Sequence, residues 1–357
     1  MDTVESSGRS ALAASKRLAS RLPSPSFVEA WELYFGFRVA SQCTMGPVMR
    51  VRRSIWIVLA VVMLLGAIVT SAGFAGGNAG DAAHFLRDGL GARGRAIGSA
   101  QIALADGFAA PYWNPAPCVQ STSTVVGSGL EQRHGGLFTF GVLGGWHATE
   151  SWAAGAVVLT SELYDVYHVS GGFRLGDAAA GLGVRSYQFG VPGDRGSGLG
   201  LDIGARYVIE LSTSCVTIAA VSRDIGWTSI RWGALEIEAV DRVAWVSRIG
   251  VAMSVPLTQG EWTIEIDGEL ATRRPPEDME ADFWSAAGDL NVSIGTALQW
   301  IGIRISAGIQ RYDLRRPNAR PRPTIGLGIR VGDLSIDLAL VPSSLGSTYL
   351  GGFEIEL

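Results

Sequence analysis

Charge is scarce in this 357-residue chain: only 17 % of it is Asp, Glu, Lys or Arg, and 29 basic residues against 33 acidic ones leave a formal net charge of -4. No long basic run is present, so the electrostatic footprint of a nucleic-acid partner is missing and that partner class is set aside. Cysteine is nearly absent too. Of the three, Cys43 lies in an N-terminal stretch of doubtful origin, and Cys118 and Cys215 are too few for a disulfide framework, although an exported chain would allow them to pair. The four histidines His84, His134, His147 and His168 are scattered at spacings that suit no metal, so neither a metal nor a cofactor is expected. With 47 % hydrophobic residues and 47 glycines, the chain is too polar for a helical membrane bundle and rather apolar for a soluble enzyme.

Long apolar runs are confined to one place. From Met49 the chain reads MRVRRSIWIVLAVVMLLGAIVTSAGFAGG: Arg50, Arg52 and Arg53, an apolar run from Ile55 to Val69, then Gly73 and Ala75 at positions -3 and -1 of a cleavage site. Residues 49–75 therefore read as a secretory signal peptide. The competing reading is an uncleaved transmembrane helix, for which the run is short. Residues 1–48 show no periodicity and precede a segment that belongs at a true N-terminus, so they read as an extension from a misassigned start, with Met45 or Met49 as the real one. An unusually long leading region is the alternative.

Past residue 120 the pattern has period two, the signature of β-strands. In LDIGARYVIEL, Leu201, Ile203, Ala205, Tyr207, Ile209 and Leu211 share one face, and Asp202, Arg206 and Glu210 the other; in EWTIEIDGELA, Trp262, Ile264, Ile266 and Leu270 oppose Glu261, Glu265, Asp267 and Glu269. Such runs predict strands near 121–129, 136–147, 151–160, 166–175, 178–189, 198–209, 214–222, 243–255, 261–271, 288–299, 301–312, 323–331, 334–341 and 347–357. Short connections alternate with long ones at 190–197, 223–242, 272–287 and 313–322. About fourteen strands of bilayer-spanning length, joined alternately by short turns and long loops, predict an all-β transmembrane antiparallel barrel over 120–357. Both barrel ends then lie on the short-turn, periplasmic side. If 223–242 forms a hairpin in the wall, the count becomes sixteen. At Trp300-Ile301 the apolar phase flips, which a tight turn or a bulge would explain. Trp146, Trp152, Tyr164, Tyr207, Trp262, Trp300 and Tyr349 fall near strand ends, as interfacial girdles require. A soluble exported β-sandwich is the alternative fold.

Between the apolar run and the first strand lies FLRDGLGARGRAIGSAQIALADGFAAPYWNPAP, residues 85–117. Gly89, Gly91, Ala92 and Arg93, then Ala105-Asp106, then Trp113-Asn114-Pro115-Ala116, resemble the opening of the PorV/PorQ family of outer-membrane proteins, relatives of the FadL hydrophobic-compound channels. This resemblance implies that residues 76–119 form a plug, or hatch, inside the barrel. Gly91 and Gly94 would let backbone pack closely, Ala100 to Ala105 would form a thin helix, and Pro111 and Pro115 would stop it and turn the chain into the first strand. Gly107 stands where the family usually has a second acidic residue, Pro117 where it commonly has glycine, and the chain ends in Leu357 rather than an aromatic.

The alternation aims Asp202, Arg206 and Glu210 inward, with Glu265, Asp267, Glu269, Arg304 and Arg330 further round the wall. Mixed signs predict a salt-bridged lumen that holds a plug rather than an ion-selective pore. Gly89 to Gly94 match G-x-G-x-x-G, but no strand precedes them and no acidic residue suits a ribose contact, so no nucleotide site follows. Ser161, Asp165 and His168 lie together without a nucleophile motif and are read as loop chemistry, not an enzyme. The expectation is an outer-membrane protein surrounded by lipid, most simply a plugged uptake channel for a hydrophobic or amphipathic small molecule. The alternative is a type IX-like secretion accessory whose partner is a protein of the secretion machinery.

Overall fold

The computed structural model describes residues 81–116, 122–191, 193–233, 240–272, 287–314, 321–343 and 346–357. The extension 1–48, the signal segment 49–75 and Cys118 lie outside them. After β1 (Asp81–Ala82) come a 3-10 turn (His84–Asp88), α1 (Ala92–Ala96) and α2 (Ala110–Trp113). Sixteen strands follow: β2 (Thr124–Arg133), β3 (Phe138–Ala148), β4 (Trp152–Thr160), β5 (Tyr164–Leu175), β6 (Ala178–Val191), β7 (Asp194–Glu210), β8 (Cys215–Arg223), β9 (Thr228–Trp232), β10 (Val240–Val243), β11 (Trp245–Leu257), β12 (Gly260–Thr272), β13 (Ala287–Trp300), β14 (Ile303–Asp313), β15 (Arg322–Val331), β16 (Leu334–Val341) and β17 (Thr348–Glu356).

Fourteen of these make the wall. Each pairs antiparallel with its sequence neighbour, except that β8 pairs with β11 across the β9–β10 hairpin, and β17 closes the ring on β2 from Tyr349↔Gln132 to Glu356↔Val125. Closure satisfies every wall edge, the condition for backbone to cross hydrocarbon, and it excludes the sandwich. The polarity is inverted relative to a soluble protein. On β12, Trp262 and Ile266 are 40 % and 48 % exposed on the outer surface, while Glu265, Asp267 and Glu269 on the opposite face are no more than 3 % exposed. An apolar exterior with charge inside is stable only in lipid, so this is a transmembrane barrel.

The short connections, Gly176-Asp177, Thr258-Gln259 and Gly332-Asp333 among them, lie at one end, where Leu357 N donates to Thr124 O at 2.8 Å and so joins the two ends of the wall. The phase flip near Trp300 is a two-residue turn at Ile301-Gly302, both with positive φ (48° and 76°), between the paired residues Trp300 and Ile303. Glycine marks the turn after all, one residue later than the apolar phase suggested. Segment 223–242 does contain a hairpin, β9–β10, but it adds no wall strand. It rises beyond the β8–β11 pair at the long-loop end, held on β7 by Gly196↔Trp232 and Ser197↔Arg231. The wall count stays at fourteen.

The plug fills the lumen. It starts at the long-loop end, where β1 lies parallel to β10 (Asp81↔Arg242, Ala82↔Val243), and by Trp146, near the short turns, the Gly107 carbonyl accepts a bond from the indole. Its predicted helix at Ala100–Ala105 is absent. The segment forms a single turn, in which Ala105 N donates to Gln101 O at 3.0 Å, and wall carboxylates take the backbone amides of 101–104. Pro111 sits in the first turn of α2, so it starts a helix rather than stopping one. The aromatic girdle is smaller than expected. Trp152, Trp262, Trp300 and Tyr349 are exposed on the outer surface, whereas Trp146 and Tyr207 are buried and Tyr164 joins the lumen aromatics.

Candidate functional site: the plug and the inner wall

The bend Tyr112-Trp113-Asn114-Pro115 is the centre of the plug. The Tyr112 ring lies between the guanidinium groups of Arg185 and Arg223, 4.7 and 4.8 Å from its centroid, and its hydroxyl donates to the Leu86 carbonyl. Desolvated cation–π pairs of this kind contribute about 2 kcal/mol each. Trp113 is fully buried, donates from Nε1 to Leu90 O at 3.1 Å, and its carbonyl accepts from Arg223 Nη2 at 2.7 Å. Asn114 uses both ends of its amide: Nδ2 donates to Ile102 O at 2.9 Å and Oδ1 accepts from Ala116 N at 2.8 Å. Pro115 rests on Gly181 and Gly204 of the wall, and Ala116 is buried.

Glycine is needed at Gly89 for two reasons. Its φ is +88°, and a Cβ there would lie 1.9 Å from the Trp113 ring. Gly91, with φ +81°, is required by conformation alone, since a Cβ would meet nothing closer than 3.4 Å; its N–H donates to Glu131 Oε1 at 2.9 Å. Gly94 packs on Trp113 and Gln101 within the plug rather than on the wall.

Two carboxylates of β12 grip the plug backbone. Gln101 N and Ile102 N donate to Asp267 Oδ2 (3.0 and 3.3 Å), and Ala103 N and Leu104 N to Glu265 Oε1 and Oε2 (2.6 and 3.2 Å). Four consecutive amides on two wall carboxyl groups form a latch. Glu269, one inward position further, is held by Arg248 (2.5 Å), Arg87 (2.8 Å) and Arg311 (3.3 Å).

Arg93 ties α1 to the closing strands, pairing with Glu354 (2.5 Å), Asp337 (3.1 Å) and Asp106 (3.4 Å). Burial opposes its charge, but the three carboxylates more than compensate and its pKa is raised. Asp106 accepts from Gln101 Nε2 at 2.5 Å; despite partial desolvation in the lumen, Arg93 and Arg304 hold it below the usual carboxylate range. Asp88, against Arg311 at 3.3 Å, is lowered by Arg95 and Arg311 in the same way, again against the effect of burial.

Of the other inward candidates, Asp202 is fully buried, 2.6 Å from Arg185 and 3.3 Å from His168 Nε2. Arg206 is buried between Ala179 and Ala219 on the neighbouring strands, and its guanidinium makes no hydrogen bond. Arg304 borders the lumen beside Asp106 at 3.7 Å. Glu210 and Arg330 are corrections: both stand exposed at the short-turn rim, Arg330 paired with Glu356 at 2.6 Å, because alternation fixes the face of a residue but not its depth. Ser161 and Asp165 serve local turns, bonding Tyr164 and Thr160, while His168 faces Asp202, so these three assemble no triad.

Sequence reasoning missed most of the inner wall. Glu131 pairs with Arg133 at 2.6 Å, and Arg185, Arg223, Arg248, Asp337 and Glu354 all meet the plug or its partners. Carrying the inward phase through every strand would have found them. It would also have found a belt of inward glycines on which the plug lies: Gly127 and Gly144 under Phe108, Gly155 under Pro111, Gly250 under Ile102, Gly295 and Gly308 under Ile97-Gly98, and Gly326 under Ala96. A side chain at any of these would collide with the plug.

The lumen differs at its two ends. Toward the long loops it is aromatic: Phe85 of the plug stacks on Phe140 (5.2 Å) and leans on Tyr164 (5.1 Å), which meets Phe189 (5.1 Å), and Trp232 of the hairpin closes the set at 6.5 Å from Phe189. Toward the short turns a polar cavity of about 110 Å³ separates the plug from β11–β14. Among the described residues no cluster could hold a metal ion.

Wall, plug and lumen define a plugged transmembrane β-barrel. No family model matches the chain and no curated protein matches it. Among solved structures it is similar to the CymD monoaromatic hydrocarbon channel (13 % identity, 75 % of this chain and 97 % of that one, TM-score 0.47). It is also similar to the toluene transporter TbuX of Ralstonia pickettii (13 % identity, 76 % and 98 % covered, TM-score 0.44) and to the toluene transporter TodX of Pseudomonas putida (12 % identity, 75 % and 98 % covered, TM-score 0.45).

Proposed function

We propose that the protein is a plugged uptake channel of the bacterial outer membrane for hydrophobic or amphipathic compounds, exported by a cleaved signal peptide. The observation that carries this reading is the aromatic chamber under the long loops, where the plug's own Phe85 occupies a seat made by Phe140 and Tyr164. A plug that only had to be held would need the ion pairs and the glycine belt further in. An aromatic seat near the mouth, with Leu137 and Leu163 exposed in the neighbouring outer loops, suits capture of an apolar solute, which gains by leaving water. The solute takes the place of Phe85 and so acts on the plug directly. The resemblance of Gly89 to Ala116 to the PorV/PorQ opening supports the same class.

The test is fluorescence titration of the purified protein with 1-N-phenylnaphthylamine. Phe85→Ala should bind the probe several-fold more tightly than the parent, because the competing ring is gone, and Phe140→Ser should bind it more weakly. Failure of both the parent and Phe85→Ala to bind the probe would remove the reading.

A further inference from the structure

The plug rests on wall glycines through most of its circuit, but below the Glu265–Asp267 latch it parts from the wall. The cavity there lies between Ile97 and Leu104 of the plug and strands β11–β14, and its lining is rich in hydrogen-bonding side chains: Asp106, Thr263, Gln299, Arg304 and Ser306. Asp106 belongs to the plug, inside the barrel, yet its side chain is 41 % exposed. Water therefore reaches the cavity, and Gln299 and Arg304 flank the Trp300–Ile303 turn, which places its opening at the short-turn end. The members of the Arg93–Asp106–Arg304 chain are held unequally. Arg93 is fixed on Glu354 and Asp337, whereas Asp106 meets its two guanidinium partners only at 3.4 and 3.7 Å. Asp106, whose short bond is to Gln101 of the plug itself, is the member of this group held least by the wall.

We infer that this cavity is the exit by which a solute leaves the lumen, and that it admits solutes carrying a hydroxyl on an apolar body in preference to plain hydrocarbons. The inference rests on the uptake reading above and deepens it. In the outer chamber an aromatic body is sufficient for binding. To pass the cavity a molecule must displace water from Arg304, Gln299 and Asp106, and a molecule without a donor or acceptor offers their remaining donors and acceptors nothing in its place. A hydroxyl restores one bond as it passes. Aromatic above and polar below, the lumen thus fits an aryl alcohol end to end.

Protein-dependent initial uptake of radiolabelled phenol and toluene by intact cells expressing the protein tests this, with heat-modifiable gel migration reporting the barrel. The parent should take up phenol several-fold faster than toluene. Ser306→Trp and Thr263→Trp, which fill the cavity from two strands, should each cut phenol uptake at least tenfold and leave 1-N-phenylnaphthylamine binding in the outer chamber unchanged. Glu150→Gln, at a short turn across the barrel, is the control. If the tryptophan variants do not fold, Ser306→Cys in a chain carrying Cys118→Ser and Cys215→Ser, modified after folding with a bulky methanethiosulfonate, makes the same block. Parental phenol uptake in a folded, blocked protein overturns the exit, and faster uptake of toluene than phenol overturns the selectivity, while intact probe binding leaves the outer-chamber reading standing. Loss of probe binding in the parent itself would instead sink both.

Discussion

The side-chain amide of Asn114 donates to the carbonyl of Ile102 at 2.9 Å, deep inside the barrel and twelve residues back along the plug. This bond staples the bend to the segment that the β12 carboxylates grip, so the two parts of the plug are held as one body. Asn114→Ala leaves the buried Ile102 carbonyl and Ala116 N–H without their partner, at a cost of about 1–3 kcal/mol. The wall does not depend on that bond. The expected result is faster proteolysis or cysteine labelling of residues 85–116 in outer membranes, with unchanged heat-modifiable migration; equal protection of variant and parent would make the bend a mere corner.

Gly89 and Gly91 separate conformation from crowding. Both combine positive φ with extended ψ (177° and 143°), a region that costs a non-glycine residue about 1–3 kcal/mol, but only Gly89 faces the Trp113 ring at 1.9 Å from an added Cβ. Gly89→Ala should therefore loosen the plug more than Gly91→Ala. Adding Trp113→Ala should partly rescue Gly89→Ala and not Gly91→Ala, a coupling that a double-mutant cycle on protease protection measures.

Acid should release the plug. Asp88 and Asp106 are both held below the ordinary aspartate value by neighbouring arginines, against the desolvation of the lumen. For a depressed carboxylate the stabilisation is complete above the unfolded pKa, about 3.9, and is lost as pH falls through the lower folded value. The share of the protection of residues 85–116 that these two carboxylates supply should persist from neutral pH down to about 4 and fall below it. Asp106→Asn should lose part of that dependence, and loss of protection already at pH 6 in the parent would contradict the assignment.

The lumen should conduct poorly. Plug backbone lies on inward glycines of β2, β3, β4, β11, β13, β14 and β15, and the polar gap opens only toward the short turns. In planar bilayers the purified protein should give rare, small current steps. Steady large single-channel currents would show that the plug does not close the barrel.

Asp165→Ala should leave the plug undisturbed, since Asp165 accepts only a local bond from Thr160 Oγ1 at 2.6 Å. Its protease pattern over residues 85–116 should match the parent; a change there would place the outer loop in the plug's support.

The sequence alone determined the wall. Every strand must show lipid to one side and the lumen to the other, so period two and the inward phase of Asp202, Arg206, Glu265, Asp267 and Glu269 are written locally, residue by residue. Depth is not written that way. Glu210 and Arg330 share that alternation yet stand at the rim, because position along the barrel axis follows from how each strand is staggered against its neighbours. Tertiary structure alone decided the plug's internal form. Residues 100–105 read locally as a short helix, but their path is set by the β12 carboxylates, some 160 residues away in sequence, which hold the amides of 101–104. That anchoring exists only once the ring from β2 to β17 has closed around the plug and brought Glu265 and Asp267 against it.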